Sequence, residues 1–290
     1  MFDFEIDILK SLEGLRNDFL NTLFESITIL GEETLLVLLI VTLWFAFDKK
    51  FAQKLLFVTM ASMSVNSAIK NFTRIPRPFV SGEVTCVRPD TATGYSFPSG
   101  HTQNFSTWST ISAMQLKKRL ITIVTVVLIL LVAFSRVFLG AHYPSDVIVG
   151  VVLGVAFGTA GSIIYDKAEN KNTIYFGMTI ILTPLAILFM FDAEPLLEDF
   201  YKFYGMVAGI PFAVSFEEKY APLEYNVGKG KKLLRIVIGV AAAFAVKEGI
   251  KLLNVTDIVQ VSFIIDAVRY FVLVFAVMGL CPLLFKKCRI

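Results

Sequence analysis

The chain has 290 residues, of which 56% are hydrophobic and 18% charged, and its mean hydropathy of +0.69 excludes an ordinary soluble globule. The net charge of +3 is small, and no basic run alternates with aromatics in a polar segment, so a nucleic-acid partner is excluded as well. The expected class is all-α: a polytopic membrane helix bundle embedded in the lipid bilayer, with no obligate protein partner indicated.

In chain order, residues 4–30 place Ile8, Leu12, Leu15, Phe19, Leu23 and Phe24 at helical spacing, with Asp7, Glu13, Arg16 and Asp18 on the other side. This pattern predicts one N-terminal helix lying in the membrane interface. The segment lacks the basic start and small-residue cleavage site of a signal peptide, so it is expected to be retained. Apolar stretches follow at 34–47, 55–69, 120–134, 147–165, 173–191, 203–216, 233–246 and 261–285.

The connections at 48–54, 117–119, 166–172 and 217–235, with the tail at 286–289, hold 16 of the 27 Lys and Arg. The positive-inside rule makes them cytoplasmic, and the acidic segment 192–200 and the long loop 70–98 extracytoplasmic. The alternation closes only if residues 101–116 also cross, although their Thr, Gln, Asn and Ser must then be buried inside the bundle. About nine membrane helices result, with a cytoplasmic C-terminus. A boundary is expected near residue 166, dividing a core of residues 1–166 from an extension of about four helices at 167–290. Cys86, Cys281 and Cys288 show neither metal nor redox spacing.

Three segments of the core carry chemistry. Lys70, Arg74, Arg77 and Pro78 open the long loop; alone, these cations read equally well as headgroup-snorkelling side chains. The loop closes on Pro98–Ser99–Gly100–His101, where Ser99 suits a helix N-cap. Gly100 and His101 then open a helix whose free N–H groups favour an anion, though a capped helix with an incidental histidine has the same sequence. The third segment holds Ser135, Arg136, His142 and Asp146. A carboxylate four residues from an imidazole across a helix start can accept the Nδ1 proton and leave Nε2 as nucleophile or base. A role for Asp146 in the helix dipole alone leaves His142 unexplained. All three segments fall on one face of the membrane, and the chain has only these two histidines.

K-x6-RP (Lys70, Arg77, Pro78), PSGH (Pro98 to His101) and SR-x5-H-x3-D (Ser135, Arg136, His142, Asp146) resemble the three signatures of the type 2 phosphatidic acid phosphatase superfamily, which includes vanadium haloperoxidases. The resemblance covers roughly the first 166 residues. It implies a lipid phosphatase acting at the extracytoplasmic face, in which His142 forms a phosphohistidine, Asp146 orients its ring, and His101 serves as acid and then base. Lys70, Arg77, Ser99, Gly100 and Arg136 would bind the phosphate. The resemblance implies no metal ion or other cofactor, because three cations supply the charge and no carboxylate cluster is present to hold a metal.

Arg74, Tyr95 and Phe97 are candidates for the substrate entrance; Arg74 and Arg88 also read as exposed loop cations. Gly150, Gly154 and Gly158 form a small-residue stripe expected to admit a neighbouring helix. A membrane lipid phosphate or diphosphate is the leading substrate class, in a prokaryotic plasma membrane. A soluble phosphoester such as a sugar phosphate, or transfer of phosphate to another lipid acceptor, are the alternatives. A haloperoxidase is disfavoured by the membrane character of the chain, and a non-catalytic lipid binder by the intact pair of histidines.

Overall fold

The computed structural model describes residues 3–192, 194–252 and 257–290, and among these every regular element is helical. Ala193, in the predicted acidic connection, lies outside the described residues. The chain divides into two compact units, Met1–Leu35 with Val65–Ile163 and Leu36–Ser64 with Ile164–Ile290, and each of the three boundaries falls within a continuous helix.

The first unit contains α1 (Asp3–Glu13), α2 (Asp18–Thr28), a 3₁₀ turn at Ile29–Gly31 and the end of α4 (Lys49–Thr73). α5 (Gly100–Leu116), α6 (Arg119–Phe138) and most of α7 (Pro144–Lys167) complete it. The single interfacial helix expected over residues 4–30 is in fact two. Gly14, a poor helix former, ends α1, and Asn17 caps α2 by accepting from Leu20 N at 2.9 Å. α2 with its 3₁₀ turn forms a bent pair with the next helical stretch, at 49°.

α5 is the segment that hydropathy alone would miss. Its Thr102, Gln103, Asn104, Ser106 and Thr107 are buried, as expected of polar residues inside the bundle. Asn66 Nδ2 on α4 donates to Gln103 Oε1 at 2.8 Å, and Asn104 Nδ2 donates to Gly31 O at 3.0 Å. These bonds replace water for polar groups removed from it.

The glycine stripe of α7 packs on this same helix. A Cβ at Gly150 would stand 3.0 Å from Ser99 O, one at Gly154 2.5 Å from Ser106 Cβ and 2.7 Å from Gln103 O, and one at Gly158 2.9 Å from Thr107 O. The stripe therefore sets the spacing between the helix that carries His101 and the helix that carries Asp146. α6 turns the opposite character outward, exposing Leu120, Ile123, Val127 and Leu130 as a helix facing lipid does.

The second unit contains α3 (Glu33–Thr42) from Leu36 onward, a π turn at Leu43–Phe47, the start of α4 and the end of α7. α8 (Lys171–Asp192), α9 (Glu198–Tyr220), α10 (Lys229–Lys251), α11 (Val259–Phe275) and α12 (Cys281–Cys288) follow. α9 packs on α11 through Gly205 and Gly209, the latter 3.0 Å from Phe271 O at its would-be Cβ. Asp266 and Arg269, both buried, pair at 3.0 Å on α11 itself.

Each predicted apolar stretch and the 101–116 segment coincide with described helices. Among the described residues, however, four elements qualify as spans by length and composition: Arg119–Phe138, Pro144–Lys167, Lys171–Asp192 and Val259–Cys288, or five with the bent pair. α5, with 17 residues, is too short for that set, and α4, α9 and α10 carry too many polar or charged side chains for it. The protein is an integral membrane helical bundle.

Gly154→Ala should lower the thermal midpoint in detergent by the equivalent of about 1–3 kcal/mol, because the methyl group has to push α5 from α7. Gly177→Ala on α8, where a Cβ meets nothing within 4 Å, should leave the midpoint unchanged or raise it by the equivalent of up to about 1 kcal/mol.

Candidate active site

The first unit gathers residues from the ends of its helices. Lys70 closes α4, Arg136 lies in the last turn of α6, and Asp146 lies in the first turn of α7. Ser99 and Gly100 start α5, and His142 stands in the short turn between α6 and α7. That turn bends sharply at Gly140, whose φ of +76° and close approach to Thr85 O leave no room for a side chain.

His142 is 1% exposed and is held from both sides of its ring. Nε2 lies 3.0 Å from Arg77 Nη1 and Nδ1 lies 3.2 Å from Asp146 Oδ2. A guanidinium has donors only, so Nε2 accepts, and the proton of the neutral ring sits on Nδ1, donated to Asp146. Asp146 Oδ2 also accepts from Tyr143 N at 2.9 Å and from Ser96 Oγ. Burial first, then the charges of Arg77, Lys70 and Arg136, push the His142 imidazole well below the ordinary histidine range. The lone pair that a nucleophile needs is therefore present at neutral pH.

The cations are organised by main-chain oxygens. Arg77 donates from Nε to Gly94 O at 2.9 Å, from Nη1 to Ala141 O at 3.0 Å, and from Nη2 to Thr93 O. Lys70 Nζ donates to Tyr95 O and to Ser96 O, the latter at 3.2 Å. Arg136 is fully buried, and its Nη1 donates to Thr28 Oγ1 at 3.1 Å. Its Nε and Nη2 are buried with no hydrogen-bond partner, as is Nε2 of His101. Leaving the two guanidinium donors unsatisfied is costly, and their positive charge favours an anion as the partner.

Ser99 occupies the N-cap position as expected, but its hydroxyl lies 3.0 Å from Thr102 Oγ1 and makes no side-chain cap bond. Among the entrance candidates, Tyr95 and Phe97 are half-buried and reach the site's framework through their carbonyls. Arg74 is exposed, and its Nε turns back to Asn71 O at 3.0 Å. Arg88 is not a plain exposed cation: it is half-buried and paired with Glu32 at 3.0 Å. Sequence reasoning missed Ser96 and Thr28. Ser96 had a weak signal, a small hydroxyl between two aromatics one motif away, whereas nothing in the sequence joins Thr28 to Arg136 across 108 residues.

The chain matches the PAP2 superfamily over residues 51–170, a span that includes all three motifs, and the transmembrane extension of PAP2 superfamily phosphatases over residues 201–290. It is 30% identical over 158 residues to the undecaprenyl-diphosphatase BcrC of Bacillus subtilis (strain 168), covering 52% of this chain and 79% of that protein. It is 29% identical over 166 residues to phosphatidylglycerophosphatase B of the same organism, covering 51% of this chain and 76% of that protein. The crystal structure of a transmembrane PAP2-type phosphatidylglycerolphosphate phosphatase from Bacillus subtilis superposes with a TM-score of 0.50 at 25% identity, over 57% of this chain and 86% of that one. With Arg77 and Asp146 on the ring of one buried histidine, the chain belongs to the PAP2 superfamily and is a phosphatase of its membrane lipid branch.

Proposed function

We propose that this enzyme hydrolyses a lipid phosphate or diphosphate at the extracytoplasmic face of a prokaryotic plasma membrane, through a phosphohistidine on His142 and without a metal ion. The observation that carries the reading is Arg136, a fully buried guanidinium whose Nε and Nη2 donors have no hydrogen-bond partner, in the unit that holds a neutral His142. An anionic phosphoryl group supplies what that guanidinium lacks.

In this mechanism the phosphoryl group first takes over the Arg77 Nη1 donor that now faces His142 Nε2. Nε2 then attacks phosphorus, the bond from phosphorus to the leaving oxygen breaks, and His101 gives that oxygen its proton. Asp146 holds the Nδ1 proton and stabilises the charge that forms on the ring. His101 next takes a proton from water, the hydroxide attacks phosphorus, and the phosphorus–nitrogen bond breaks to release inorganic phosphate. Lys70, Arg77 and Arg136, with the Ser99 hydroxyl and the Gly100 N–H, stabilise the charge of the transferring group. Three cations of this kind do the electrostatic work of a divalent ion.

The membrane arrangement belongs to the same proposal. Counting α4, α5, α9 and α10 with the more apolar helices gives nine crossings and a cytoplasmic C-terminus, with residues 1–166 as the phosphatase core and 167–290 as the extension. The relatives named for undecaprenyl-diphosphatase and phosphatidylglycerophosphatase support a lipid substrate.

Phosphate release from a panel of lipid phosphates, lipid diphosphates and soluble phosphoesters, assayed in excess EDTA, tests the reading. Release from the lipids should persist in EDTA and fall by about 10³-fold or more in His142→Ala. Release that needs added metal, or that survives in the variant, overturns it.

His101→Gln leaves one histidine in the chain, so its imidazole resonance is unambiguous. Because the folded-state pKa is depressed, His142 should stay neutral as the pH falls through about 6.5 and protonate only below it. An ordinary midpoint near that pH in the NMR titration would contradict the poised nucleophile.

A further inference from the structure

Glu5 of α1 is 1% exposed although it is a carboxylate, and it lies 140 residues in sequence from the group it binds. Its Oε1 accepts from Ser145 N at 2.8 Å, while its Oε2 is buried without a hydrogen-bond partner. Ser145 follows Pro144, which has no N–H, and precedes Asp146, so its amide is the first donor at the start of α7. An anion is favoured there by the helix dipole.

The segment after α1 makes the complementary contact. Arg16 Nε donates to Phe138 O at 2.8 Å, at the last residue of α6, where the helix dipole favours a cation. Arg16 Nη1 also donates to Thr85 O at 3.0 Å. Between these points Leu9 is buried in a cluster with Val137, Tyr143 and Val147. A carboxylate and a guanidinium from one short segment thus hold the two helix ends that flank residues 139–143, the turn on which His142 stands.

We propose that α1 and Arg16 form a clamp on the nucleophile's turn, with Glu5 as a positioning residue that fixes the start of α7 and through it the Asp146–His142 pair. The inference rests on His142 as the reacting group. It assigns a role in turnover to residues outside the three motifs and outside the matched family region, which begins at residue 51. A displacement of the ring by a fraction of an ångström lowers the rate of attack without changing how phosphate binds, so the clamp acts on kcat.

The test uses full-length protein and whichever lipid the wild type hydrolyses best, with His142→Ala alongside. Glu5→Ala and Glu5→Asp, the second keeping the charge but shortening the reach, should each lose about tenfold in kcat with KM within about twofold. Glu5→Gln keeps a carbonyl oxygen for the Ser145 amide and should stay within about threefold of wild type. Lys10→Ala, exposed on the same helix, should leave kcat unchanged. If Glu5→Ala does not fold, Glu5→Asp and its rescue in Glu5→Gln decide the matter. A lower thermal midpoint with wild-type kcat per folded molecule marks Glu5 as a structural cap only and overturns the proposal. Activity surviving in His142→Ala overturns the nucleophile reading instead.

Discussion

The first unit is organised around the burial of Arg136, a guanidinium with no exposed surface and only one bonded nitrogen. Removing such a charge from water costs several kcal/mol even after relaxation, so a fold keeps one only where a counter-charge visits or a network supports it. Lys70 and Arg77 lie in the same unit and add like charge, which no family of apolar side chains can offset. What the fold provides is carbonyl oxygens: those of residues 93–96 and Ala141 point at Lys70 and Arg77. Main-chain dipoles hold the cations without neutralising them, and an electropositive site remains for an anion.

That electropositive field explains the state of His142. An imidazole beside three cations is disfavoured in its protonated form, and burial acts in the same direction. Asp146 then does not have to make the ring basic. It selects the tautomer, and Ser96 and Tyr143 N fix the carboxylate that does so. The His142 ring is thus kept neutral by repulsion from one side and aligned by hydrogen bonds from the other.

The sequence was most informative where charge and small residues sit in membrane helices. Lys70, Arg77, His101, Arg136, His142 and Asp146 stand at helix ends or in the connections beside them, and the spacing of the three motifs made them legible as a site. The expectation that residues 101–116 form a helix buried in the bundle identified α5 even though its hydropathy is low, and the glycines of α7 signalled a close neighbour. The identity of that neighbour was hidden, because a stripe of small residues specifies only a spacing. The break at Gly14 to Asn17 was hidden by an apolar period that continues through it, although a strong N-cap stands at the break. Thr28 and Ser96 act through single hydrogen bonds over long sequence separations, which leave no pattern to read. Arg88 read as a loop cation because its partner Glu32 lies 56 residues earlier.

The division of labour also separates reaction from choice of substrate. In the proposed mechanism the motif side chains address a phosphoryl group, which every phosphomonoester and diphosphate presents alike, so they cannot discriminate among lipids. Discrimination has to come from groups that meet the rest of the substrate, and these are free to vary as long as the cations keep their carbonyl supports. The main chain of residues 93–96 lends the oxygens of Thr93, Gly94, Tyr95 and Ser96 to Lys70 and Arg77, while the side chains of Tyr95 and Phe97 are half-buried. A change of side chain in this segment that preserves its backbone path leaves these carbonyl contacts to Lys70 and Arg77 intact. Substrate range can therefore drift in a member of this superfamily without any change in the three motifs that identify it.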